Sequence, residues 1–226
     1  MTRSREEWRH LALLVSILFL FVFTPLIAHL PRGPVILNAA AAAVFVTGSY
    51  ALMKRKTLFA IAVGLSVVSI SATWLLMITP RHWTAVSSQL CIISLNTFFA
   101  ITILGYVLRG TRVTTDKIFA AICVYLLIGY AWTFAYALLE ELQPGSFVAL
   151  SAVAPGDYLA RYMEMRYFSF MTLTTVGYGD IVPHSSATRT FAALEAVVGQ
   201  IYLTVLIARL VGLHIVHAEK ASPGEK

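Results

Sequence analysis

The residues with the most distinctive chemistry lie in TLTTVGYGD, at positions 172–180. Gly177 and Gly179 permit backbone angles that bulkier residues avoid, so an extended chain here could aim successive carbonyl oxygens at one axis. Thr175 adds a hydroxyl at one end, and Asp180 adds a carboxylate at the other. The segment therefore offers a row of oxygen ligands, which is the chemistry of cation coordination.

The residues before this segment predict a short helix that positions it. Asp157 is a plausible N-cap for a helix over YLARYMEMRYFSFMTLT, which is too short to cross a bilayer. We predict a re-entrant element, in which the chain enters the membrane as a helix and returns as an extended strand. Non-helical backbone at that depth must line water or be satisfied by protein. The side chains of Val176 and Tyr178 are expected to point away from the axis and to hold its diameter.

The composition of the whole chain is that of a membrane protein. Its 226 residues are 58% hydrophobic and only 12% charged, and its net charge is +6. A soluble domain would need more charge to cover its surface. The Lys and Arg residues are spread between apolar runs rather than gathered in one patch, so no nucleic-acid partner is expected.

Six apolar runs are long enough to cross a bilayer, which takes roughly 20 helical residues. They are 11–30, 34–53, 57–79, 89–108, 117–139 and 188–217. With the N-terminus in the cytoplasm, eleven Lys and Arg residues fall on inside loops and five on outside loops, which favours both termini inside. We divide the chain into a four-helix domain at 1–110, a second domain at 111–217, and a short cytoplasmic tail at 218–226.

Residues 172–180 resemble the selectivity-filter signature of the tetrameric potassium channels. The resemblance extends over 117–217 as outer helix, pore helix, filter and inner helix, and the six spans are similar to the voltage-gated-like cation channel superfamily. In that family, rings of filter carbonyls replace the hydration shell of K⁺. The residues that match the filter are Thr175, Val176, Gly177, Tyr178 and Gly179, with K⁺ implied at the first four and Asp180 at the outer mouth. One filter per chain and no internal repeat imply a homotetramer, in which each chain has three identical partners.

The fourth span departs from the voltage-gated pattern. A voltage sensor needs several basic residues at every third position, because each charge contributes about 2.3 kcal/mol per 100 mV. The sequence SQLCIISLNTFFAITILGYVL contains no Lys or Arg. We therefore predict that the channel is not steeply voltage-gated.

The last span carries the candidate gating residues. Gly199 stands where the resembled family commonly has a gating hinge, although glycine also permits close helix packing. Glu195, an ionisable residue within a span, could brace the filter from behind or line the cavity, and the sequence does not choose between these roles. Helical spacing places the candidate pore-lining residues on the same face as Gly199: Leu203, either Leu206 or Ile207, and Leu210.

No phosphate loop, metal-ligand cluster or activated nucleophile is visible in the sequence. We therefore expect no enzymatic activity, no small-molecule substrate and no cofactor other than the permeant K⁺ ions. The fold predicted is an all-α membrane protein with six transmembrane helices, a re-entrant pore helix and an extended filter, in contact with plasma-membrane lipids. The function predicted is passive K⁺ conduction. A less selective cation channel and a secondary transporter remain alternatives, and a transporter would predict inverted repeats.

Overall fold

The structure, a computed structural model, describes residues 9–109, 114–148 and 156–221, with side-chain environments given up to Arg209. The side chain of Leu210 and the last residues of the predicted tail, 222–226, lie outside the described part.

Seven helices and two short strands make up the described part of the chain. In order they are α1 Arg9–Ala28, α2 Gly33–Ala51, α3 Lys56–Ile78, α4 His82–Leu108, α5 Thr115–Leu142, β1 Phe147–Val148, α6 Tyr158–Leu173, β2 Val182–Pro183 and α7 Ser186–Ala221. All of these helices except α6 contain a stretch that is long and apolar enough to cross a membrane.

The helix bounds lie close to the predicted apolar runs, with one clear difference. Helix α4 begins at His82 rather than at residue 89, because polar residues extend it beyond its apolar stretch. Thr84 stabilises the new start, since the Arg81 backbone N–H donates to the Thr84 hydroxyl at 3.0 Å. A span predicted from hydropathy alone starts only after these polar residues, and so it omits the first turns of the helix.

Helices α1 to α5 share one apolar core. Leu13 of α1 is buried there together with Leu95, Phe99 and Ile103 of α4. A Cβ at Gly48 of α2 would lie 2.9 Å from the Phe99 ring, so glycine is needed for α2 to approach α4 this closely. The outward faces carry many exposed large hydrophobic side chains, which suits a surface that contacts lipid.

Helix α6 lies between α5 and α7, and aromatic rings fill the gap. Tyr136 of α5 packs edge to face on Phe168 of α6, with ring centroids 5.0 Å apart, and on Phe147 at 5.6 Å. The two strands are antiparallel, with Phe147 opposite Pro183. The Ser146 carbonyl accepts the His184 N–H at 2.7 Å. These contacts tie the chain that follows residues 172–180 to the end of α5.

Candidate functional site

Helix α6 begins at the predicted cap and ends just before the glycine-containing segment. The Asp157 carboxylate accepts the Ala160 N–H at 2.9 Å, so the predicted N-cap is confirmed. The helix ends at Leu173, and the Thr174 N–H still donates to the Phe170 carbonyl at 3.1 Å. The helix C-terminus, with its partial negative charge, therefore leads directly into the segment.

The backbone of residues 175–179 alternates between two conformations. Thr175, Gly177 and Gly179 have φ values of 59°, 52° and 79°, whereas Val176 and Tyr178 do not have positive φ. In an ordinary strand, successive carbonyls point to opposite sides. Left-handed residues at every second position turn alternate peptide groups over, so successive carbonyls can face the same side. The residue types predict this for the glycines but not for Thr175, where a left-handed conformation costs about 1–2 kcal/mol.

The amide hydrogens at the start of the segment point back to α6. The N–H groups of Val176 and Gly177 both donate to the Met171 carbonyl, at 2.9 and 3.1 Å, and the Thr175 N–H donates to the Thr172 carbonyl at 2.9 Å. No carbonyl of residues 175–179 accepts a hydrogen bond from a described residue. The segment thus keeps a row of carbonyl oxygens free of donors from the described residues.

The side chains of the segment are only partly packed within one chain. Val176 is 51% exposed and Tyr178 is 71% exposed. Tyr178 stacks against Tyr167 of α6, with ring centroids 6.5 Å apart and an interplanar angle of 14°. The packing expected for Val176 and Tyr178 is therefore incomplete in the described part of this chain.

Asp180 is held at the far end of the segment by α6. Its carboxylate accepts the Tyr167 hydroxyl at 2.6 Å and the Ile181 N–H at 3.0 Å. The hydroxyl of Tyr167 stabilises the charged form and holds the pKa of Asp180 below its usual value. The same contact raises the pKa of Tyr167 to about 12. Asp180 therefore remains a fixed negative charge at neutral pH.

Glu195 lies behind the segment and is fully buried, at 0% exposure. The Tyr136 hydroxyl donates to its Oε2 at 2.6 Å. The Ser169 hydroxyl lies 2.6 Å from Glu195 Oε1 and 2.8 Å from the Gly129 carbonyl oxygen. Glu195 therefore links α7 to α5 and to the C-terminal half of α6, rather than facing open space in this chain.

Ser169 has one hydroxyl hydrogen and two neighbouring acceptors. If Glu195 were ionised, one of these contacts would join two oxygens with no hydrogen between them. A proton on Glu195 Oε1 satisfies every atom, because the carboxylic acid donates to Ser169 and Ser169 donates to the Gly129 carbonyl. The hydrogen count therefore favours a neutral Glu195.

Gly199 packs against the end of α6. A Cβ at this position would lie 2.3 Å from the Leu173 carbonyl oxygen, far closer than a real contact permits. The next residue, Gln200, donates from Nε2 to the Thr175 hydroxyl oxygen at 3.3 Å. Of the two readings of Gly199, close packing is supported directly by these contacts.

The predicted pore-lining residues of α7 do not all have the same environment. Leu203 is half-buried and Ile207 is 59% exposed, while Leu206 packs on the core of the first four helices and α5. Other large apolar side chains of α7 are also exposed: Phe191, Leu194, Val197, Val198, Ile201 and Val205. Much of α7 up to Arg209 is thus apolar and not covered by the described residues.

Several residues of this site were missed by sequence reasoning. Tyr136, Tyr167 and Ser169 carry the hydrogen bonds that fix Asp180 and Glu195. Tyrosine and serine are common in membrane helices, and their partners are distant in sequence. Only the unusual glutamate within a span gave a signal that such a network exists.

Comparison with known proteins gives a match to the part of the chain that contains residues 172–180. A family model described as ion channel matches residues 144–213. Protein LctB of Bacillus caldotenax is 31% identical over 100 residues, which is 44% of this chain and 74% of LctB. Two-pore potassium channel 1 of Arabidopsis thaliana is 46% identical over 54 residues, 24% of this chain and 15% of that protein.

A further relative is two-pore potassium channel a of Oryza sativa subsp. japonica, 28% identical over 87 residues, or 38% of this chain and 21% of the relative. No solved structure gives a significant match. With the apolar helices described above, these matches identify a multi-pass membrane protein. The chain belongs to the ion channel family, and over part of its length it is similar to plant potassium channels.

Proposed function

We propose that the protein is a potassium-selective channel, built as a homotetramer in which four 175–179 segments surround one pore. The observation that carries this proposal is a row of carbonyl oxygens that accept no hydrogen bond from a described residue, along the alternating backbone of Thr175, Gly177 and Gly179. Four such rows could replace the hydration shell of K⁺. The plant relatives named as potassium channels support the same ion.

Each part of the site has a role in passive conduction. Thr175, Val176, Gly177 and Tyr178 would hold K⁺ in successive sites, and Gly179 would complete the filter. Asp180, kept ionised by Tyr167, would concentrate cations at the outer mouth. In this arrangement α6 is the re-entrant pore helix, and its C-terminus adds partial negative charge below the filter.

The tetramer is supported by what one chain leaves uncovered. The apolar face of α7 is exposed, and so are the side chains of Val176 and Tyr178. Contact of these surfaces with water costs free energy, and neighbouring subunits would bury them. In such an assembly Leu203, Ile207 and Leu210 would line the inner pathway, where four apolar rings could form a gate.

Glu195 serves in this proposal as a brace rather than as a cavity-lining charge. Its contacts with Ser169 and Tyr136 support that role, because they join the inner helix to the pore helix behind the filter. Gly199 would maintain the same contact by close packing, and a hinge at this position would have to break it.

Voltage dependence is expected to be weak. Helix α4 spans His82–Leu108 and contains no Lys or Arg, so it carries no charge on which the membrane field could act. We place both termini in the cytoplasm and the filter mouth outside, following the distribution of basic residues. The plasma membrane is the expected location.

The first test is a planar-bilayer recording of purified protein with K⁺ on one side and Na⁺ on the other. We expect a reversal potential near the K⁺ equilibrium value and a shallow voltage dependence. Gly177→Ala should move the reversal potential toward zero, because φ at this position is 52° although a Cβ would meet nothing within 4 Å. The change therefore acts on the backbone alone.

Gly64→Ala is the matched control, since a Cβ at this helical glycine also meets nothing within 4 Å and φ is ordinary. It should leave selectivity unchanged. A wild-type reversal potential near zero with clear unitary currents would replace the proposal with a less selective cation channel. Flux that saturates without unitary currents would favour a secondary transporter.

A further inference from the structure

A cavity with a volume of about 520 Å³ lies at the end of the bundle where α6 begins. Helices α1 to α6 all contribute to its wall, through residues that include Thr24, Pro34, Met77, Gln89 and Tyr158. None of residues 172–180 lines it. A molecule bound here would therefore contact both the first four helices and the start of α6, without entering the proposed filter.

Most of the cavity wall offers hydrocarbon rather than hydrogen-bonding groups. Apolar side chains from four helices line it: Leu20, Leu37, Val44, Ile92, Leu127 and Phe134. The hydroxyl of Thr73 donates to the Ile70 carbonyl at 2.8 Å, and that of Ser88 donates to the Ala85 carbonyl at 2.9 Å. Because these donors are used within their own helices, the body of a bound molecule has to be largely apolar.

The two charged residues in the lining, Asp157 and Arg161, are already engaged. The Arg161 guanidinium forms an ion pair with Glu141. The Asp157 carboxylate accepts the Ala160 N–H at 2.9 Å and caps α6. The cavity thus presents no charge that a ligand of opposite sign is needed to balance, and it favours a neutral molecule.

Two buried polar atoms in the lining have no hydrogen-bond partner among the described residues. They are Oε1 of Gln89, whose residue is 6% exposed, and the hydroxyl oxygen of Tyr130, whose residue is 5% exposed. Arg166 and Tyr162 lie close to the Tyr130 hydroxyl, but neither is placed to complete a hydrogen bond with it. A buried polar atom without a partner costs free energy, so both atoms point to a ligand with a polar group of its own.

We propose that this cavity binds a neutral, largely hydrocarbon molecule that carries a hydroxyl group, such as a membrane-soluble phenol. The hydroxyl would donate to Gln89 Oε1, because an amide oxygen can only accept. A protein cavity of about 150 Å³ holds benzene, so this cavity has room for roughly fifteen to twenty non-hydrogen atoms. The apolar walls would enclose the hydrocarbon part of the molecule.

The test is the thermal stabilisation of the full-length protein in neutral detergent by a matched pair of probes. These are 4-octylphenol and its methyl ether, which differ in the hydroxyl hydrogen that Gln89 would accept. 4-Octylphenol should raise the melting temperature in a saturable way. The ether should bind about fivefold more weakly, which is the ratio expected for one hydrogen bond.

Gln89→Leu separates the ligand role of this residue from a structural role. It removes the buried amide and keeps an apolar side chain, so the ligand-free protein should melt at the same temperature or higher. It should also weaken 4-octylphenol about fivefold, to the level of the ether, and leave the ether unchanged. A purely structural Gln89 would instead lower the melting temperature and leave the preference for the phenol intact.

Ala41→Trp tests the place of binding, because Ala41 lines the cavity and an indole there would occupy much of its volume. It should weaken both probes by at least about tenfold, since the ring and the ligand would need the same space. Ala43→Trp is the matched control, because Ala43 is an exposed residue of the same helix outside the lining. It should leave both affinities unchanged.

The comparison of the two probes on the wild type needs no variant to fold. Equal affinities for the phenol and the ether, or a phenol preference that survives Gln89→Leu, would overturn the proposal. So would equal losses in Ala41→Trp and Ala43→Trp, or the absence of saturable stabilisation. If dioctanoyl phosphatidylcholine displaces both probes and they bind equally, the occupant is a lipid chain and the hydroxyl ligand is refuted. None of these readouts depends on ion conduction.

Discussion

Replacing Glu195 by Gln and by Ala should have very different effects. In the neutral state inferred above, the acid accepts from Tyr136 and donates to Ser169 across two contacts of 2.6 Å. Gln reproduces this pattern, since its carbonyl accepts and its amide donates. We therefore expect Glu195→Gln to change the free energy of unfolding by no more than about 1 kcal/mol.

Ala leaves two buried hydroxyls without this partner and creates a cavity in a fully buried place. We expect a loss of roughly 2–5 kcal/mol. A loss of about 3 kcal/mol would lower the melting temperature by about 6–12 °C for a chain of this size. Thermal unfolding of the purified protein in detergent, followed by near-ultraviolet circular dichroism, measures both variants against the wild type.

The planar-bilayer recording that tests selectivity should also separate the two Glu195 variants, with Ala more disruptive than Gln. Glu195→Gln should keep the wild-type reversal potential, whereas Glu195→Ala should shift it or shorten channel openings. A Gln variant as unstable as the Ala variant would refute the neutral carboxylic acid, because an ionised Glu195 depends on a charge that Gln lacks. A stable Ala variant would refute the brace itself.

Two further predictions concern the contacts of α6. Gly199→Ala should lower the melting temperature and disturb selectivity, because its Cβ would lie 2.3 Å from the Leu173 carbonyl oxygen, whereas Gly64→Ala should be neutral in both assays. Tyr167→Phe removes the hydroxyl that lowers the pKa of Asp180, so this pKa should rise toward its usual value. In the wild type, the negative charge of Asp180 and its contact with Tyr167 are fully present above the usual carboxyl pKa. They are lost only as the pH falls through the lowered pKa of Asp180. In Tyr167→Phe the acid-induced fall in K⁺ current should thus begin at higher pH than in the wild type, and identical titrations would contradict the assignment.

The sequence was sufficient for those features that depend on local chemistry. Apolar runs placed six long helices, and Asp157 marked the start of α6. Gly177 and Gly179 marked an unusual backbone because glycine is the residue that adopts left-handed angles without strain. The motif at 172–180 led to the potassium channels, and the comparisons support an ion channel with potassium channels among its relatives.

What the sequence could not predict depends on tertiary contacts. The left-handed Thr175 has no signature of its own, since the surrounding hydrogen bonds rather than the residue type impose that conformation. The role of Glu195 stayed open because its donors lie on two other helices. The early start of α4 at His82 was missed because polar residues lengthen a helix without lengthening its apolar run.

Helix α6 is held from two sides, and this bears on how the first four helices could influence the pore. On one side Glu195 binds it to α7. On the other, the buried guanidinium of Arg166 donates to the Leu20 carbonyl at 3.4 Å and lies 5.1 Å from the Phe21 ring centroid, both on α1. A shift of α1 would therefore reach α6 through a direct contact, with no charge on α4 required. The lack of Lys and Arg in α4 removes the pull of the membrane field on that helix. It leaves a mechanical path from α1 through α6 toward residues 175–179, and any stimulus that moves α1 could use it.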